Sequence, residues 1–402
     1  MLRVTVSGVT SCENRGVQAL VRSVAQGLRQ LRPCRITVLT QTPEQDRRLS
    51  DDDIEWVADP FVVAKSWRGA RSVETVATAA ERADALLAAT DLLVTTGGDL
   101  HTGDYGVSTR YLAAPIAAFG RSIPVAMLAH SIGPFTDPGE ARDFARAATR
   151  SAVVTVREQI SLRYARNSLA IPANTTVLTA DPAFLLAAAT PERIDEILAS
   201  SGIGLSRPYV CLAPSNGIAG FRGLDRAGHV GALLRLVAEV RARWRVPVLL
   251  IPHVHDSRPA NDDRILAAEL IRLAGAGDMR ALPDGLTAGE YKGVVARSEL
   301  LVAQRLHAAI GGLSSGVPTL AIGYSHKFDG VLADSYGCGV PLADVHLNIE
   351  TFVGDSGAGA NLLRSVDPDR LRRFLDARLP VVRQRARDNF VLAWRALAGA
   401  AP

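Results

Sequence analysis

Short apolar runs alternate along this chain with longer small-residue or amphipathic stretches, and almost every run closes on a polar turn. LRVTVSGV, residues 2–9, reads as a first strand, followed by a turn from Thr10 to Gly16 and a helix over about 17–31. Apolar runs at 35–40, 91–95, 124–128, 153–156 and 174–180 predict further strands, and an apolar patch follows the acidic stretch 51–53. Helices are expected between them near 72–89, 108–120 and 159–165. Around residues 189–208 a short helix (192–200) gives way to Gly202, Gly204 and Pro208, which mark a break. A second series then begins, with strands at 209–213, 247–251, 300–303 and 318–322 and helices near 230–244, 261–275 and 287–296. Beyond Pro368 an arginine-rich helical region runs to the carboxyl terminus. Strands alternating with helices in both halves predict an α/β protein of two doubly wound Rossmann-like domains facing a cleft. The expected division is 1–200, 201–375, and a final helix, 376–402, that packs back on the first domain.

At 402 residues the chain can bury two cores of ordinary size. No apolar run is long enough to span a bilayer, and the amino terminus reads as a strand rather than a signal peptide, so a cytoplasmic protein is expected. Cys12, Cys34, Cys211 and Cys338 have no Cys-x-x-Cys spacing and read as reduced thiols, not as a disulfide framework or a zinc site. A net charge of +4 without a basic block argues against nucleic acid as a partner. The glycines lack dinucleotide-fingerprint spacing, so no nicotinamide or flavin cofactor is indicated. Arginine supplies nearly all the positive charge, and lysine occurs only at Lys65, Lys292 and Lys327. A lysine is therefore less expected by chance, which draws attention to Lys327.

The densest chemistry lies between Arg297 and Phe328. Arg305-Leu306-His307 follows the strand at 300–303, and Tyr324-Ser325-His326-Lys327 follows the strand at 318–322. In an open α/β sheet the carboxyl ends of the strands are where ligands bind. Arg305, His307 and Lys327 would bring two fixed positive charges and one titratable group to such an edge. An anionic small molecule, most simply a phosphate ester, suits that set. Gly97 and Gly98, after another strand, would let the backbone approach a ligand closely. His101 and His130 lie at strand ends of the first half and could face the same cleft. His253-Val254-His255-Asp256 contains metal-ligand residue types, but a substrate-facing polar loop is the preferred reading. Arg157 has two readings, an internal ion pair with Glu158 or a reach across the cleft to a ligand carboxylate or phosphate. Asp181-Pro182 reads as a turn.

Cys12 to Leu20 (CENRGVQAL), Gly97-Gly98-Asp99, His130 to Phe135 (HSIGPF), Val156-Arg157-Glu158 with Ser161, and Asp181-Pro182-Ala183 form an ordered set. It continues through Arg305-Leu306-His307, Gly316-Val317-Pro318 and Tyr324 to Lys327. Over roughly residues 1–335 this order and spacing resembles the polysaccharide pyruvyl transferase family, especially members in colanic-acid-type exopolysaccharide clusters. The resemblance implies a fold like that of the B-type glycosyltransferases (GT-B) and transfer of a pyruvyl group from phosphoenolpyruvate to sugar hydroxyls, usually as a cyclic ketal. It implies that Arg305, Leu306 (through its backbone) and His307 hold the donor, with Arg157 as a further arginine, and the proton transfer that ketal formation needs makes His307 the candidate for acid–base catalysis. Lys327 joins them as a third donor-neutralising charge. Asn14, Gly97, Gly98, Asp99 and His130 are the expected acceptor-side residues. No metal and no cofactor is expected. The expected partners are phosphoenolpyruvate and a saccharide, glycolipid or glycosylated small-molecule acceptor; a peripheral membrane contact through the arginine-rich tail and the oligomeric state stay open.

Two departures stand out. Gly16-Val17-Gln18 stands where relatives commonly carry Gly-Asp-Glu or Gly-Asp-Ser, so Val17 replaces the aspartate, and Ser215-Asn216 occupies the place where an arginine often follows the strand ending at Ala213. Both bear on the acceptor and leave the donor motif intact. A glycosyltransferase using a nucleotide sugar, and a non-catalytic scaffold in polysaccharide assembly, remain as alternatives.

Overall fold

The computed structural model describes residues 1–50, 53–61, 73–103, 109–204, 207–275, 277 and 279–399. The expected helix starts at Ser72 and Ser108, most of the acidic stretch 51–53 and the last three residues of the tail lie outside the described residues. The chain forms two compact units. One comprises Met1–Cys12, Leu20–Pro182 and Gln384–Pro402; the other comprises Glu13–Ala19 and Ala183–Arg383.

In the first unit the strands are β1 (Leu2–Val9), β2 (Cys34–Thr40), β3 (Ile54–Ala58), β4 (Leu92–Thr95), β5 (Gly98–His101), β6 (Val125–Ile132), β7 (Val153–Val156) and β8 (Thr176–Leu178). All pair in parallel, in the order β3-β2-β1-β4-β6-β7-β8, and β5 pairs with β6. Helices cover both faces of such a sheet, which is why LLVT (92–95) and VVTV (153–156) are buried at every position and read as unbroken apolar runs. The second unit repeats the plan with β9 (Val210–Ala213), β10 (Val248–Leu250), β11 (Met279–Ala281), β12 (Leu300–Ala303), β13 (Thr319–Gly323) and β14 (His346–Asn348). Its parallel order, β11-β10-β9-β12-β13-β14, is the dinucleotide-fold order 3-2-1-4-5-6. Strand order therefore reverses between β9 and β12, and between β1 and β4 in the first unit.

Several local expectations change. The stretch Ala129–Ile132 is not a turn, because β6 runs on through it. Ala129 adopts φ 51°, and the pairing register shifts between Met127 and His130, which makes a bulge where a turn is expected. Gly97 answers that bulge: a side chain there would press on the Ala129 carbonyl oxygen, 2.7 Å from where a Cβ would stand. Lys327 is not in a loop but in the first turn of a helix, His326–Tyr336. The strand β9 is followed directly by a helix, Asn216–Arg222.

The final helix starts well before residue 376, at Pro368, and runs to Gly399. Its residues through Arg383 group with the second unit and those from Gln384 with the first. In the first unit Asn389, fully buried, accepts from the hydroxyls of Thr155 and Thr179 and donates to the Ala180 carbonyl. Trp394 donates to the Leu28 carbonyl at 3.2 Å, and Phe390 fills the space left by the missing side chain of Gly27. Among the described residues no helix is long and apolar enough to cross a membrane.

Candidate functional site

The turns after β9, β10 and β12 meet around one carboxylate. Asp263 is fully buried and accepts the backbone N–H groups of Asn216 and Val254, each at 2.9 Å. Arg305 lies forked against it, with Nε 3.0 Å from Oδ2 and Nη2 2.6 Å from Oδ1. Gln304 makes the second tie, its Oε1 accepting from the Ser215 N–H at 3.0 Å. Arg305 is thus fixed as the residue before the helix Leu306–Ser314, with 16% of its side chain exposed at the point where the strand order reverses. His307 follows one residue into that helix and is half-buried.

The segment 13–19 belongs to this unit, alongside residues 253–255. Arg15 N–H donates to the His253 carbonyl at 3.1 Å, and His255 N–H donates to the Glu13 carbonyl at 3.0 Å. Asn14 shapes the turn, its Oδ1 accepting from the Gly16 N–H at 2.9 Å. Gly16 leaves room for the His307 side chain, since a Cβ at residue 16 would press against its Nδ1, Cγ and Cβ. Gly16→Ala should therefore displace His307 and lower turnover about a hundredfold or more, the scale of losing a positioned proton-transfer group. Steady-state kinetics, with a melting curve showing a folded protein, checks this. Gln18 is buried, and its Oε1 accepts the N–H of Ala288 at 2.6 Å, pinning the start of the helix Ala288–Val295. The residue after Val17 thus carries an amide that holds a helix.

Arg15 is 1% exposed. Its Nη2 lies 3.3 Å from His255 Nδ1. A guanidinium can only donate, so Nδ1 accepts and the proton sits on Nε2, which faces the Tyr291 hydroxyl at 3.3 Å. That hydroxyl in turn donates to the Pro252 carbonyl at 2.7 Å. Burial, and then Arg15, hold the His255 pKa down to about 4, in keeping with a neutral ring. The His253 pKa lies well below the usual histidine range, first through burial and then through His307, Arg305 and Arg15. Neither ring nitrogen of His253 has a hydrogen-bond partner among the described residues. Lys292 is also buried, with Nζ 2.7 Å from the Leu186 carbonyl oxygen. Burial, and then Arg383, pull its pKa down to about 8. Arg15, His253, Tyr291, Lys292 and His307 line one small pocket.

The remaining expected residues are distributed more widely. Arg305 and Lys327 do not line that pocket; Lys327 is 2% exposed, with Nζ 5.9 Å from the Tyr324 ring centre. Arg157 lies in the first unit with a fully buried side chain. Its Nε donates to Ser131 Oγ and its Nη1 to Asp181 Oδ2, both at 2.8 Å. The ion-pair partner is Asp181 and not Glu158, whose carboxylate instead caps the helix Gln159–Arg163. His130 is fully buried, with Nε2 2.7 Å from Thr95 Oγ1 and its ring 4.8 Å from that of His101. Burial first, and then His101 and Arg157, hold its pKa well below the usual value. Gly97 and Gly98 are buried, and Asp99 is partly exposed on β5. Among the described residues, no three histidine, cysteine or carboxylate side chains come together as a metal site needs.

Sequence reasoning passed over two pocket residues. Arg15 stands in the first turn as one arginine among many. Lys292 was as rare a residue as Lys327, and rarity was its only signal.

A family model described as polysaccharide pyruvyl transferase matches residues 14–326. No curated protein matches the chain. Among solved structures, a UDP-N-acetylglucosamine 2-epimerase from Rickettsia bellii is similar at TM-score 0.61 and 15% identity, over 99% of this chain and 98% of that one. The UDP-GlcNAc 2-epimerase from Neisseria meningitidis, bound to UDP-GlcNAc, is similar at 0.58 and 15%, over 96% and 99%. An α,α-trehalose 6-phosphate synthase from Burkholderia multivorans is similar at 0.58 and 15%, over 100% and 99%. At these identities the likeness speaks to the fold alone, which is GT-B-like.

Proposed function

This chain belongs to the polysaccharide pyruvyl transferase family, and on that premise we propose that it moves a pyruvyl group from phosphoenolpyruvate to hydroxyls of a saccharide-bearing acceptor. The carrying observation is the turn Arg305-Leu306-His307, which opens a helix at the reversal of strand order, with His307 on the wall of a small pocket rich in positive charge. A helix amino terminus and buried cations suit an anionic donor. In this reading His307 delivers a proton to the methylene carbon, and a sugar hydroxyl attacks the cationic centre that results. A second hydroxyl displaces phosphate and closes a ketal. One hydroxyl proton ends in the new methyl group and the other on phosphate, so the reaction needs no oxidant and no net proton. An imidazole can give a proton at one step and take one at the next, which suits both.

Ligand-dependent melting tests the donor. Phosphoenolpyruvate at a hundredfold excess over its Kd should stabilise the protein by about 2.7 kcal/mol. UDP-sugars tested in parallel should leave the melting temperature unchanged. Stabilisation by a nucleotide sugar alone overturns the reading.

A further inference from the structure

We propose that Lys292 is a reactive amine that takes a small 2-oxo acid, pyruvate in the simplest case, as an imine. Its side chain is 8% exposed and lines the same small pocket as His307. Its Nζ donates to the Leu186 carbonyl oxygen, a neutral group, at 2.7 Å. Among the described residues the one charged group that bears on it is Arg383, a second cation. Much of the remaining lining is apolar, from Leu186, Ile251, Val295 and Ala308. Burial and a neighbouring cation both favour the neutral amine over the ammonium. They are also the two means by which a lysine is made nucleophilic toward a carbonyl carbon. Transfer from phosphoenolpyruvate, which has no ketone, makes no use of this amine.

The same pocket selects the carbonyl compound. His307 and Ala308, in the first turn of the helix Leu306–Ser314, form part of its wall, so a helix amino terminus borders the space that Lys292 enters. A carboxylate is favoured there. His253, 7% exposed on the same wall, brings two ring nitrogens with no hydrogen-bond partner among the described residues. A keto oxygen, or the hydroxyl it becomes on attack, gives that ring a partner. A ketone carrying its own carboxylate therefore answers the amine, the helix terminus and the imidazole together. The condensation balances without a further reactant. The protonated amine loses two protons, the keto oxygen leaves with both as water, and a C=N bond replaces C=O. The nitrogen keeps its third proton and the positive charge, and nothing is oxidised or reduced. His307 is the lining group suited to carry protons from nitrogen to oxygen.

Only the unprotonated amine attacks, which gives the reaction a pH signature. Lys292 is faced by Arg383 from the last helix and by the Leu186 carbonyl, and the other titratable or charged groups lining the pocket are Arg15, His253, Tyr291 and His307. With its pKa pulled down to about 8, Lys292 holds about two-hundredfold more free amine at pH 7 than an unperturbed lysine. Imine formation should therefore rise about tenfold from pH 6 to pH 7 and level off above pH 8, where an ordinary lysine is still gaining.

Borohydride reduction of the full chain in the presence of pyruvate, from pH 6 to pH 10, followed by peptide mass mapping, tests this. The chain has only three lysines, Lys65, Lys292 and Lys327, and mapping separates them from one another and from the amino-terminal amine. The expected result is a reduced pyruvyl adduct on Lys292, formed at pH 7 at least about tenfold faster than on either other lysine, with a plateau above pH 8. Lys292→Arg and Lys292→Met, checked for folding by melting, should lose that fast-forming adduct. Measured against free lysine in solution, pyruvate should be favoured over methyl pyruvate by about tenfold, because the ester lacks the charge that the helix terminus meets. No adduct on Lys292, labelling spread evenly over the lysines, or a rate on Lys292 still climbing past pH 9 overturns the imine. Absence of any preference for pyruvate over its methyl ester overturns the 2-oxo acid as the class of carbonyl compound. Should neither variant fold, the wild-type map and its pH profile still decide.

Discussion

Replacing His307 with asparagine is expected to lower turnover by a factor of about a hundred to ten thousand, with a much smaller change in phosphoenolpyruvate affinity. Asparagine keeps a polar group of similar reach but cannot carry a proton near neutral pH. Binding and chemistry therefore separate in this variant if the imidazole is the proton carrier. The ring sits where only Gly16 leaves room for it, so its placement depends on a second segment of the chain. Gly16→Ala should for that reason act through His307. Once the ring is gone, adding the alanine should cost little more, and the double variant should be nearly as active as His307→Asn alone. Independent, multiplying losses would mean that Gly16 serves something other than the ring. Near-wild-type turnover in His307→Asn would remove His307 from the chemistry altogether.

The strands that frame this site were legible because both faces of a parallel sheet are buried, and LLVA at 300–303 or VCLA at 210–213 can then hardly be anything else. From two such series the GT-B-like class followed. The three-residue strands β11 and β14 were not legible, since MRA and HLN carry charged or polar side chains and have no run long enough to show a period. The bulge at Ala129 was hidden for a different reason. An alanine gives no sign of a positive φ, and the glycine that accommodates it lies at residue 97, between β4 and β5.

At the site, the Arg305–His307 motif could be found from its position after a buried strand. Its environment could not. Asp263 is one of three consecutive polar residues at a helix start, Asn261-Asp262-Asp263, and nothing in sequence marks it as the buried partner of an arginine 42 residues away. Arg15 and Lys292 converge on His307 from segments nearly three hundred residues apart, a juxtaposition only the fold creates. Lys327 illustrates a further limit: its place after a strand was legible, but not that the chain turns helical there and buries it.

Arg305→Ala should produce the largest combined loss, because the same guanidinium balances a buried carboxylate and, in the proposed reaction, meets the donor. Removing it leaves Asp263 with two backbone N–H donors and no opposing charge. The cost to stability is expected to be about 3 kcal/mol, the lower end for breaking a buried pair, since Arg305 keeps 16% of its side chain exposed. Burial raises the Asp263 pKa even against the pull of Arg305, and without the arginine it must rise further. A carboxyl group with a raised folded pKa contributes stability that is lost as pH rises through and above its unfolded value, so the deficit should be smaller at pH 5 than at pH 8. Denaturant unfolding at the two pH values reads this directly. Adding Asp263→Asn removes the stranded charge, and the double variant should recover much of the stability without recovering phosphoenolpyruvate affinity, which should stay at least about tenfold weaker than wild type. Recovery of both together would make Arg305 a support for the turn alone. Recovery of stability alone would leave the arginine as the group that meets the donor, with Asp263 as the anion it is held by until the donor arrives.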